Sequence, residues 1–81
     1  MALDETTRAV NRRAVDALDE AAYRLREANA DVGLALVPLE ALSRYTNAHD
    51  PALEELRAVA ARIRAAREDV SRRLAAETEG Q

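Results

Sequence analysis

Alanine recurs every seventh residue at Ala14, Ala21, Ala28 and Ala35, and a large apolar residue follows four positions behind each, at Leu18, Leu25, Val32 and Leu39. In heptad terms this is an a/d seam with the bulk at a and alanine at d. Small d residues let two helix backbones approach closely, so the pattern predicts a tight helix–helix contact. A second stripe, Leu53, Leu56, Val59, Ala60, Ile63, Ala66, Val70 and Leu74, has the same helical spacing. Between the two lies Thr46-Asn47-Ala48-His49-Asp50-Pro51, where Asp50 suits an N-cap and Pro51 the first helical position. The predicted elements, all in one domain over 1–81, are a helix over about 4–32 that continues or restarts over 38–46, a turn over 46–51, and a helix over about 51–77. Asp4 or Thr6 can cap the first helix, with acidic side chains in its opening turn.

Gly33 and Pro38 leave the middle of the first helix open to two readings. Proline inside a helix removes a hydrogen bond and crowds the preceding turn, at a cost of about 3 kcal/mol, and the β-branched Val37 before it is pushed from helical dihedrals. Against a break, the heptad phase runs on to Leu42, and Val37 offers no side-chain acceptor to cap a new helix. The expected fold is therefore all-α. It is either an antiparallel helical hairpin, coiled-coil-like, with a kinked or broken first helix, or a compact three-helix bundle. In the hairpin the last helix would span roughly 40 Å and a continuous first helix over 60 Å, so Val10, Ala14, Val15 and Leu18 would project. Acid-to-base pairs four residues apart, Asp4–Arg8, Glu20–Arg24, Glu40–Arg44, Glu68–Arg72 and Asp69–Arg73, mark the outer faces.

Composition sharpens this picture. Nineteen of the 81 residues are alanine, and phenylalanine, tryptophan and cysteine are absent. Alanine favours helix but buries little apolar area, and a chain this short has a small core without disulfides, metals or association. Helix-rich and core-poor, the chain is expected to associate. All twelve basic residues are arginine, yet the net charge is −3, which weighs against nonspecific nucleic-acid binding. No apolar run reaches the length of a membrane span, and the first residues lack a signal-peptide pattern, so a cytoplasmic protein is expected.

The segment Val32–Leu42 holds a single charged residue, Glu40. Its apolar side chains point several ways round a helix, as expected of a helix buried on all sides. Self-association or a protein partner is expected through Val10–Leu18 and Val32–Leu42, with Val10, Leu18, Leu34, Leu36, Val37 and Leu39 as interface residues. Tyr23, at an outward heptad position, joins them as a large amphipathic contact. Tyr45 is expected to pack over the turn. Asn11 falls at an a position, but an exposed side chain is expected so near the helix start. Tyr23 and Glu27 form a Tyr-x-x-x-Glu spacing similar to that of helical-hairpin proteins exported by actinobacterial secretion systems. The Trp-x-Gly turn of those proteins is missing, and the motif lies in the first helix, so no membership follows.

Chemistry finds little purchase. His49 stands alone in the turn without metal-ligand spacing, Ser43 and Ser71 have no evident activating base, and no glycine-rich phosphate loop exists. No enzyme activity, cofactor, metal or small-molecule substrate is expected. The reading is a non-enzymatic interaction or assembly protein: an oligomerising adaptor, a chaperone or a small component of a larger complex. The alternative is a nucleic-acid-associated regulator using the arginine face of the last helix, with Arg57, Arg64 and Arg67 as possible phosphate contacts.

Overall fold

A computed structural model of the chain describes residues 5–79. It contains two helices, α1 over Glu5–Thr46 and α2 over Pro51–Glu79, packed against each other as an all-α hairpin. Helix α1 runs unbroken through Gly33 and Pro38. Pro38 is exposed on the side of α1 away from α2, where water can satisfy the Leu34 carbonyl that its missing N–H leaves unbonded. Breaking the helix instead would forfeit the contacts that residues beyond Pro38 make with α2.

The turn forms as the residue types dictate. Asn47 takes the left-handed conformation, with φ 50°, which asparagine tolerates at a helix C-terminus. Thr46 Oγ1 donates to the Leu42 carbonyl at 3.0 Å, and Ser43 Oγ to the Ala48 carbonyl at 3.2 Å. Asp50 caps α2: its Oδ1 accepts from the Ala52 N–H at 2.9 Å, and its carbonyl accepts the Glu54 N–H at 3.2 Å. Of the two expected caps of α1, Asp4 lies outside the described residues, and Thr6 lies within the helix, past its capping position.

The core is thin. Leu18, Leu53, Ala60 and Val70 are buried, and Ala14, Val15, Ala21, Leu25, Ala28, Val32, Leu36 and Leu39 of α1 are half-buried beside them. Helix α2 supplies Leu56, Val59, Ile63, Ala66 and Leu74 to the same seam. Arg57 Nη2 lies 3.7 Å from Glu40 Oε1, an antiparallel register that brings Leu18 level with the last turn of α2. Helix α1 has 42 residues and α2 has 29, so roughly 20 Å of α1 extends beyond its partner.

Several expectations are corrected. Among the described residues no third helix packs on the hairpin; the molecule measures 64 × 14 × 14 Å, with a radius of gyration of 18.6 Å where a compact chain of this length would have roughly 12 Å. A bundle needed α1 to end near Gly33, and it does not. The alanine column also leaves the core: Ala35 and Leu42 are exposed, and Leu36 and Ser43 turn inward instead. At 3.6 residues per turn a seven-residue column drifts by about 20° per heptad. By its fourth member the d column has rotated off the seam, and the neighbouring column has rotated in. Asn11 is half-buried rather than exposed.

Candidate functional site

Helix α1 presents a second apolar row on the face away from α2. Ala30, Leu34, Val37 and Ala41 are all exposed, spaced four, three and four residues apart, the spacing of a helix-packing seam. Leu34 is 73% exposed and Val37 65%. No element of the hairpin reaches them. An exposed glutamate, Glu27, precedes this row by three residues, and an exposed arginine, Arg44, follows it by three. The two tyrosines flank it. Tyr23 is half-exposed with the Arg24 guanidinium 5.7 Å from its ring centre.

The expected interface residues divide between the two faces of α1. Val10, Tyr23, Leu34 and Val37 are exposed, whereas Leu18, Leu36 and Leu39 face α2. Val10 stands in the length of α1 beyond the end of α2, while Leu34 and Val37 lie where α2 covers the opposite side. Tyr45 does not pack over the turn. It is 90% exposed, because it projects from the outer face of α1 while the chain reverses on the inner one. Ala30, Ala41 and Arg44 were missed as site residues, although the three-and-four spacing around Leu34 and Val37 was present in the sequence to find them.

Ion pairs confirm which sides face water. Arg24 Nε meets Glu20 Oε1 at 2.9 Å and its Nη1 meets Glu27 Oε1 at 3.5 Å; Arg73 reaches Asp69 at 4.0 Å. Two expected pairs re-form differently. Glu40 turns toward α2 and meets Arg57 instead of Arg44, and Arg72 pairs with Asp69 at 3.6 Å instead of Glu68. Among the described residues Arg44 has no carboxylate within ion-pair distance. The expected Asp4–Arg8 pair involves a residue outside the described ones.

The arginines of α2 are dispersed by contrast. Arg57 is engaged by Glu40, and Arg67 is half-buried. Arg64, Arg67 and Arg72 line a shallow open depression together with Glu68 and Ser71. His49 Nε2 lies 3.4 Å from Glu54 Oε2 in the turn. Among the described residues no three His, Cys, Asp or Glu side chains gather as a metal site, and no helix is long and apolar enough to cross a membrane. No protein-family model matches the chain, and neither a curated protein nor a solved structure matches it.

Proposed function

We propose that the chain is a non-enzymatic protein-interaction module whose outer α1 face, Ala30, Leu34, Val37 and Ala41, docks on another protein helix. The observation that carries this reading is the pair Leu34 and Val37, mostly exposed on a continuous helix in a molecule whose core is itself thin. Contiguous apolar surface on a small protein marks an interaction site, and here it has the periodicity of a helix-packing seam. An assembly component or adaptor fits such a face, because a rigid rod presents it with little ordering cost on binding.

A photo-crosslinking side chain at position 34, in cells that make the protein, tests the reading, with position 65 on the outer face of α2 as control. Protein adducts at 34 and none at 65 are expected. No adduct at 34, or equal yields at both positions, would contradict it. The second reading, a nucleic-acid contact, draws on the depression between Arg64, Arg67 and Arg72. It predicts binding to duplex or single-stranded nucleic acid at low salt that collapses as salt rises and is lost in Arg64→Glu; absence of binding at low salt removes it.

A further inference from the structure

We infer that the occupant of the outer α1 face is the same face of a second copy, packed antiparallel about a two-fold axis passing between Ala35 and Leu36. The inference rests on the docking reading above and adds the partner and its register. The row from Glu27 to Arg44 is self-complementary when reversed. Glu27, Leu34 and Ala41 occupy one heptad column, and Ala30, Val37 and Arg44 the other. In an antiparallel pair of helices, residues of the first column lie opposite residues of the second. Reversal then sets Leu34 against the second copy's Val37, Ala30 against its Ala41, and Glu27 against its Arg44. By the two-fold symmetry each contact occurs twice. The apolar layers fall at the centre, and an ion pair closes each end.

Charge decides the direction. A parallel pairing in register would set Glu27 on Glu27 and Arg44 on Arg44, two like-charge layers. The antiparallel pairing turns both into opposite-charge layers, which fix register and exclude wrong partners. Arg44 has no competing carboxylate among the described residues, and Glu27 is held only by Arg24 at 3.5 Å on the surface. The alanines at the second layer let the backbones close on Leu34 and Val37, as alanine does in the inner seam. The same reversal brings Tyr45 alongside the second copy's Arg24–Arg26 segment, where guanidinium groups can lie over its ring.

The chain exposes 6195 Å², about 1,400 Å² more than a compact protein of its mass, an excess that its rod shape accounts for. A stable interface takes about 800 Å² from each partner. The overlap spans residues 25–46 of both α1 helices, roughly 33 Å of rod, and leaves both α2 helices on the outside of a four-helix assembly.

Sedimentation equilibrium of the purified full chain at submillimolar concentration should show a dimer. Leu34→Glu should make it monomeric while its helical circular dichroism and thermal unfolding stay cooperative. Glu27→Arg and Arg44→Glu should each weaken the dimer at least about tenfold by creating like-charge layers, and the double variant Glu27→Arg/Arg44→Glu should restore it. A dimer indifferent to Leu34→Glu, or singles not rescued by the double variant, would overturn the proposal. The chain has no cysteine of its own, so Ala30→Cys/Ala41→Cys reads the register directly: oxidation should join position 30 to position 41 of the second copy. Links of 30 to 30 and 41 to 41 would overturn the antiparallel arrangement. A wild-type monomer whose position 34 still captures a different protein in cells would overturn the second copy and leave the docking reading standing. A monomer with no such capture would overturn both.

Discussion

Leu36 and Val37 are neighbours in the chain and opposites in the molecule. Leu36 turns toward α2 and is half-buried, whereas Val37 stands on the outer face with most of its side chain in water. The same division runs along α1: one row of apolar residues folds the hairpin, and a second, shorter row faces away from α2. A helix-period pattern states that a face exists without stating what covers it, and in α1 two faces compete for one partner helix. The inner row takes α2 because it is longer, running from Ala14 to Leu39 with large residues at every a position. The outer row is confined to the middle of the helix, too short to hold a hairpin but long enough to seat another helix.

The difference can be broken first on the inner side. Leu53→Ala opens a cavity at a buried position and should cost about 2–5 kcal/mol, and Leu36→Glu, which forces a charge into the seam, should be comparably destabilising; urea unfolding at low protein concentration measures both. Pro38→Ala tests how α1 is continued past its own helix breaker. Restoring the N–H to the Leu34 carbonyl should raise stability by about 2 kcal/mol, the helix gain reduced by the looser unfolded chain. An unchanged or lowered unfolding midpoint would show that proline is accommodated there without cost.

Smaller effects sharpen the comparison. Asp50→Ala removes the acceptor for the Ala52 N–H and should cost about 1 kcal/mol, read by thermal unfolding, without altering the α1 faces. Gly33→Ala should stabilise by about 0.5–1 kcal/mol, since a Cβ at Gly33 would meet no neighbouring atom within 4 Å. Smallest of all, Val37→Glu should leave the stability of the isolated hairpin within about 0.5 kcal/mol, in contrast to Leu36→Glu one residue away. A loss of several kcal/mol at Val37 would mean that the two faces are not distinct.

The hairpin was legible because its signals are local: the turn chemistry of Asn47, Asp50 and Pro51, and a helical stripe in α2 whose members all face α1. The continuity of α1 through Pro38 was less so, because the penalty depends on whether the orphaned carbonyl faces water, and that depends on where α2 lies. The sequence pattern showed that Val32–Leu42 is apolar all round but could not assign its residues to faces, since a straight helix rotates its heptad columns out of register within four repeats. That rotation moved Ala35 out and Leu36 in. Leu34 and Val37 were recognised as surplus apolar surface; their alignment with Ala30, Ala41, Glu27 and Arg44 emerged only once the inner face was fixed.

The most direct measurement of the central claim is the thermal unfolding midpoint of the wild-type chain across a hundredfold range of protein concentration. Mass action stabilises a folded chain that binds its own copy. The midpoint should therefore rise by several degrees with concentration and lose that dependence in Leu34→Glu. A wild-type midpoint that is flat over the whole range would contradict self-pairing through the outer face of α1.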